Sequence, residues 1–74
     1  MRKLSDVVDQ MLEVIPIEEA SLAGRIKAAR QSSLVAAPEM QPMFWNECFD
    51  ALISEIGEPT EDWQKKVAAI FGGV

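Results

Sequence analysis

Histidine and tyrosine are absent from the sequence, and cysteine occurs once, as Cys48. Nucleophilic sites of the Ser-His-Asp and Cys-His types need a histidine base, so the composition excludes both. One thiol without histidine cannot complete a structural zinc site. Without a second cysteine there is no internal disulfide, as is typical of proteins in a reducing cytosol. We therefore expect no catalytic residue, no metal site and no cofactor site.

Long apolar runs and targeting signals are also missing. Arg2 and Lys3 are soon followed by acidic residues, whereas a secretory signal has an uninterrupted apolar run at that place. No segment approaches the roughly 18 consecutive apolar residues of a membrane span. We expect a cytoplasmic protein with no membrane contact.

Three pairs of carboxylates and the single thiol are the remaining candidates for chemistry. The carboxylate pairs are Glu18–Glu19, Glu47–Asp50 and Glu61–Asp62. All lie on polar faces or in first turns of predicted helices, whereas acid–base catalysis needs a carboxyl in an apolar cleft. The acidic neighbours of Cys48 disfavour a thiolate, so a small buried hydrophobe is expected there. These patterns do not predict an enzyme.

The apolar pattern predicts four helices. Prolines at positions 16, 38, 42 and 59 separate segments in which apolar residues recur at helical spacing. The predicted helices cover residues 4–15, 17–33 and 43–56, with a fourth starting from Thr60. A Pro-containing connector over residues 32–42 joins the second helix to the third. The fold class is therefore all-α, a small single domain of four short amphipathic helices over residues 1–74.

The ends of these helices are predicted from capping residues. We expect Ser5 to be the N-cap of the first helix and Pro16 to lie in the first turn of the second. Gly57 should be the C-cap of the third helix and Thr60 the N-cap of the fourth, which Gly72 and Gly73 should end. In the connector, Leu34, Val35 and Met40 are expected to pack onto the core. Small residues around Gly24 would allow another helix to approach closely.

Charge is distributed unevenly along the chain, whose net charge is −5. Residues 1–30 hold five acidic and five basic residues, whereas residues 31–64 hold seven acidic residues and no basic one. The third helix lies in this acidic part. Its apolar residues cover a wider arc than the ~100° stripe that a core usually takes. An apolar face beside carboxylates favours docking of a basic, apolar partner, although such carboxylates also solvate ordinary helices.

The third helix supplies the candidate partner-binding residues. They are Phe44, Trp45, Glu47, Phe49, Asp50 and Ile53. Trp45 starts this helix beside the connector, so we expect it to be the more exposed of the two tryptophans. Trp63 lies in the middle of the apolar stripe of the fourth helix and is expected to anchor the core.

Two segments resemble a DNA-binding family. Residues 24–30, Gly-Arg-Ile-Lys-Ala-Ala-Arg, resemble the opening helix of lambda-repressor-like helix-turn-helix domains, and residues 58–60 with 65–72 are similar to their closing helix. The resemblance implies a degenerate transcriptional regulator that binds DNA. Between these segments, Pro38, Pro42 and an acidic helix replace the helix-turn-helix, and their carboxylates would face phosphates with the wrong sign.

The sequence therefore predicts a small acidic module that binds another protein and regulates or inhibits it by occupying its surface. Accessory proteins of phages and bacteria are often of this size. The helix-turn-helix regulator is one alternative, although the charge does not favour nucleic acid as a partner. A homodimeric structural protein is the other, because a small core with surplus apolar surface often closes by self-association.

Overall fold

The computed structural model describes residues 2–72 and contains, within that range, four α-helices and one 3₁₀ turn. The elements are α1 (Leu4–Val14), α2 (Ala20–Val35), the 3₁₀ turn Pro38–Met40, α3 (Gln41–Glu55) and α4 (Asp62–Gly72). The predicted all-α fold of four helices is confirmed, as is the Pro-containing connector before the third helix. The predicted role of Gly73 lies outside the described residues.

The start of α1 differs from the prediction. Lys3 has extended backbone angles, and its carbonyl accepts hydrogen bonds from the N–H groups of Asp6 and Val7, both at 3.1 Å. Lys3 is therefore the N-cap residue, and Ser5 lies inside the first turn rather than capping it. The helix starts early enough for Leu4 to be buried in the core.

The start of α2 also differs, because Pro16 belongs to a separate turn. The Glu19 N–H donates to the Pro16 carbonyl at 3.0 Å, which closes a turn between α1 and α2. Glu19 then has non-helical angles, φ −88° and ψ 51°, so α2 begins at Ala20. The restriction that Pro16 places on Ile15 holds, since Ile15 is extended and ends α1.

One core holds the helices together. Helix α1 packs against α2 and α4, and α2 packs along α3. The buried apolar residues are Leu4, Val7, Val8 and Met11 of α1, Leu22, Ile26 and Ala29 of α2, Phe44, Cys48, Ala51 and Leu52 of α3, and Val67 of α4. Helix α4 contributes least to the buried core, and it packs on α1 rather than along α3, so an opening remains between α3 and α4.

The connector between α2 and α3 does not pack onto the core as predicted. Helix α2 continues to Val35, which places Leu34 and Val35 on its outer side, and both are exposed, as is Met40. Instead, the side-chain amide of Gln41 donates to the Ser33 carbonyl at 3.0 Å. This hydrogen bond ties the end of α2 to the start of α3.

The small residues of α2 do not receive another helix. A side-chain Cβ added at Gly24 would meet no atom within 4 Å, and Ala20 and Ala28 are exposed. No helix within residues 2–72 makes the close approach that these small residues allow, and this side of α2 is exposed. The reason is that α1 and α3 pack on the Leu22–Ile26–Ala29 side of α2 and leave this side to solvent.

Of the two caps predicted in the turn between α3 and α4, the C-cap at Gly57 is observed and the N-cap at Thr60 is not. Gly57 has φ +69°, and its N–H donates to the Leu52 carbonyl at 3.2 Å, so it ends α3 as predicted. Thr60 does not cap α4 with its side chain. The Gln64 side-chain oxygen reaches back and accepts from the N–H groups of Thr60 and Glu61, at 2.9 and 3.1 Å.

Candidate protein-docking surface

Helix α3 carries two apolar faces. Its inner face consists of Phe44, Cys48, Ala51 and Leu52, which belong to the core. Its outer face includes Phe49 and Ile53, whose exposed fractions are 50% and 54%. At 100° per residue, Ile53 lies within half a right angle of Phe49, so the two side chains form one outward row. The helix therefore has apolar surface beyond what the core uses.

The outer face of α3 forms one wall of an open groove of about 370 Å³, and α4 forms the other. The groove is lined by Phe49, Leu52, Ile53, Ile56, Gly57, Pro59, Ala68, Phe71 and Gly72. None of these residues has a polar side-chain atom. The groove therefore offers apolar contact and almost no side-chain hydrogen bonding.

Aromatic contacts and Arg2 hold the end of the groove in place. The Phe71 ring lies 5.6 Å from the Trp45 ring and stacks on Phe49 at 6.3 Å, measured between centroids. The Arg2 guanidinium lies 5.7 Å from the centre of the Trp45 ring. It also donates to the carbonyl oxygens of Ile70 and Phe71. A cation at this position complements the partial negative charge at the end of α4.

The two tryptophans do not differ clearly in exposure, although the sequence predicted that Trp45 would be more exposed than Trp63. Trp45 and Trp63 are both half-buried and both pack against the core. The Trp45 indole lies between Arg2 and Phe71, while the Trp63 indole N–H donates to the Glu61 carboxylate at 3.1 Å. Each ring therefore has an apolar contact and a charged neighbour.

The six predicted partner-binding residues fall into three groups. Phe44 is only 6% exposed and belongs to the core, so it does not reach the surface. Trp45 supports the groove from behind Phe71, while Phe49 and Ile53 line it, and Glu47 and Asp50 are exposed on α3. The helical arc alone does not say which of its apolar residues face the core.

Seven of the nine residues that line the groove were not among the predicted site residues, and six of these seven lie outside α3. Ile56 follows α3, while Ala68 and Phe71 belong to α4. The sequence places Phe71 in the apolar stripe of the fourth helix. The stripe alone does not show which of its residues face the outer side of α3. That depends on how the helices are arranged around the core.

Acidic residues lie next to groove residues in the sequence. Asp50 follows Phe49, and Glu58 stands between Gly57 and Pro59, and both carboxylates are exposed. On α4, the exposed Lys65 precedes Ala68 by about one turn, and the exposed Arg2 lies at the Phe71 end of the groove, so this side of the rim is basic. The rim is therefore mixed, with carboxylates on the side of α3 and the turn.

The basic residues of α2 already contact carboxylates. Arg25 Nη1 lies 3.6 Å from Glu55 Oε1, and the Ser21 hydroxyl donates to the same oxygen at 2.8 Å. Arg30 Nε lies 3.1 Å from Asp9 Oδ1. These contacts tie α2 to α1 and α3, and they reduce the charge that α2 offers to an anionic ligand.

Cys48 lies on the inner face of α3 and is fully buried. Burial, with a smaller contribution from the charge of Glu47, raises the pKa of the Cys48 thiol from 9.0 to about 11. The thiol is therefore neutral at physiological pH, in agreement with the expectation of a small buried hydrophobe.

Other parts of the described chain offer less specific features. A cavity of about 400 Å³ between the starts of α1 and α3 is lined partly by polar residues such as Arg2 and Gln41. Residues 2–72 contain no cluster of three acidic or cysteine side chains arranged to hold a metal ion, and no helix among them has the length and apolar character to cross a membrane.

The sequence matches no protein-family model, and comparison with curated proteins and with solved structures gave no significant match.

Proposed function

We propose that this chain is a small acidic cytoplasmic module that binds another protein through the groove between α3 and α4. By covering part of that protein's surface, it regulates or inhibits its partner. The observation that carries the proposal is the half-exposed row of Phe49 and Ile53 along a groove with no polar side chain.

Exposure of this kind is costly for a small protein. Burying apolar surface is favourable by roughly 25 cal/mol for each Å² removed from water, so an open apolar groove forgoes stability that closure would supply. Isolated exposed apolar residues such as Ile17 are common, but a continuous apolar surface is typical of a binding site. A partner that fills the groove recovers the missing contact.

The charge distribution supports protein binding over DNA binding. The arginines of the segment that resembles a helix-turn-helix domain, Arg25 and Arg30, both lie beside carboxylates of this chain. Residues 31–64 contribute seven acidic residues and no basic one. A phosphate backbone would be repelled by this part of the surface, whereas a basic protein surface would be attracted.

The test compares two substitutions of the same kind at different places. Ile53→Asp places a charge in the groove, while Ile17→Asp places one at a site that is 93% exposed and far from it in sequence. Affinity capture from the native host with wild type and both variants is followed by reconstitution with the purified captured protein. We expect a binary complex that Ile17→Asp retains and Ile53→Asp weakens by about tenfold or more.

A captured protein that binds wild type and Ile53→Asp equally would contradict the proposal. A gel-shift titration at two salt concentrations covers the DNA-binding alternative. Salt-sensitive DNA binding that is lost when Arg25 and Arg30 are both replaced by Ala would favour a degenerate helix-turn-helix regulator and would also count against the proposal.

A further inference from the structure

We infer that, when its partner is absent, a second copy of this chain closes the groove between α3 and α4 around a two-fold axis that runs along the groove. This inference concerns the isolated chain and goes beyond the proposed function, because the partner protein then has to replace the second copy. It follows from two observations. The groove has an apolar lining, and the charges around it have opposite signs on its two walls.

The apolar surface of the groove calls for an apolar helical surface as its cover. The lining residues have no polar side-chain atom, so an extended segment would leave backbone N–H and C=O groups unpaired against them. A helix satisfies these groups internally and presents only side chains. The half-exposed row of Phe49 and Ile53 on α3 is such a surface. A second copy therefore brings to the groove an apolar helical row that has no cover of its own.

The charges around the groove lie on opposite walls. Asp50 on α3 and Glu58 in the turn after it are exposed carboxylates. Lys65 on α4 and Arg2 beside the end of α4 are exposed cations. The rim is therefore balanced, although the net charge of the whole chain is −5. Such a rim complements itself when the acidic wall of one copy faces the basic wall of the other.

The charges also match along the length of the groove. The phenylalanine ring that precedes Asp50 in the sequence stacks on Phe71, and Arg2 donates to the Phe71 carbonyl. Asp50 and Arg2 therefore belong to the same end of the groove. Glu58 lies in the turn before α4, and Lys65 lies near the start of that helix, so these two belong to the other end. Each end thus holds one carboxylate and one cation.

The direction of the two-fold axis decides which charges meet. Rotation about an axis along the groove sets α3 of one copy opposite α4 of the other and leaves each end of the groove at the same end. Asp50 then faces Arg2 of the second copy, and Glu58 faces Lys65 of the second copy. An axis across the groove would instead set α3 opposite α3 and bring carboxylates towards each other. Because the first contact is isologous, it closes as a dimer that covers both grooves.

Sedimentation equilibrium of the full chain from about 5 μM to about 500 μM tests the association, since a small interface gives a weak dimer. We expect a reversible monomer–dimer equilibrium for wild type. Ile53→Asp places a charge in the groove and should weaken the dimer about tenfold or more. Ile17→Asp changes a site that is 93% exposed and outside the groove, and should leave the dimer unchanged. A wild-type chain that is monomeric throughout this range would overturn the inference.

Charge reversal tests the direction of the axis with variants at exposed positions, and circular dichroism checks that each is folded. Glu58→Lys and Lys65→Glu each set like charges opposite one another and should weaken the dimer by about threefold to tenfold. An equimolar mixture of the two variants restores opposite charges at both contacts and should dimerise about as tightly as wild type.

The matched control is Lys66→Glu, which changes the net charge by the same amount as Lys65→Glu. At about 100° per residue, Lys66 lies on the side of α4 away from Ala68, so its reversal should have a smaller effect. Equal losses for the two lysine variants, or a mixture of Glu58→Lys and Lys65→Glu that does not recover, would overturn the inferred arrangement.

The remaining outcomes distinguish this inference from the proposed function. If the chain stays monomeric while the captured partner needs Ile53, the inference fails and the proposed function stands. If the dimer behaves as described but the captured partner binds Ile53→Asp as tightly as wild type, the proposed function fails and the inference stands. A dimer that Ile53→Asp and Lys65→Glu leave intact would show that the copies associate through another surface, and would overturn the inference.

Discussion

The inner and outer faces of α3 both carry large apolar residues and differ in what these residues contact. Phe44 on the inner face is 6% exposed and meets the core, whereas Phe49 on the outer face is 50% exposed and borders the groove. The same residue type on the same helix therefore has two roles. The comparison shows that helical periodicity identifies apolar residues, while the neighbouring helices decide which of them stabilise the fold.

The largest expected effect separates the two phenylalanines. Phe44→Ala removes a buried ring and should cost about 3–5 kcal/mol, which approaches the total stability of a domain this small. Phe49→Ala removes a half-exposed ring and should cost about 1 kcal/mol or less. Denaturant unfolding followed by circular dichroism measures both. A larger loss for Phe49→Ala would reverse the assignment of the two faces.

A smaller effect is expected from Arg2, which braces the groove on the side of α4. Arg2→Ala removes two hydrogen bonds to the end of α4 and a contact with the Trp45 ring. We expect a loss of about 1–2 kcal/mol in the free energy of unfolding. Lys3→Ala serves as the control, because Lys3 is also an exposed basic residue near the start of the chain. Equal losses for both variants would contradict the bracing role.

The smallest effect concerns the pH dependence of the inner face. The pKa of the Cys48 thiol is about 11 in the folded chain against 9.0 without burial, so the unfolded chain loses this proton first as pH rises. Stability should therefore fall between about pH 9 and pH 11, by about 1 kcal/mol near pH 10. Cys48→Ala should remove this component when unfolding is measured at pH 8 and pH 10. An unchanged pH dependence would show that the thiol is not the source.

The fold was predictable from local patterns because each helix carries its own periodicity. The periodicity predicts the four helices. The tolerance of glycine for positive φ predicts the C-cap at Gly57. The N-caps were not predicted correctly. Lys3 precedes α1 without a capping side chain, and the side chain of Gln64, which lies inside α4, accepts the hydrogen bond at the start of that helix. Capping depends on which backbone groups lack partners, and several side chains compete for them.

The candidate site was predictable only in part. The sequence identified the wide apolar arc of α3 and the acidic residues beside it. It did not exclude Phe44 or include Ala68 of α4, because both follow from the position of other helices against α3. The contact of Arg2 with Phe71 joins residues at opposite ends of the chain, and no local pattern predicts it.

The most direct test of the two-face account is amide chemical-shift mapping of the full chain during titration with the purified captured partner protein. The account predicts the largest shifts at groove residues such as Phe49, Ile53, Ile56, Ala68 and Phe71, with the amides of residues 4–27 little changed. Shifts concentrated around residues 15–27, or a general loss of the folded spectrum, would contradict it.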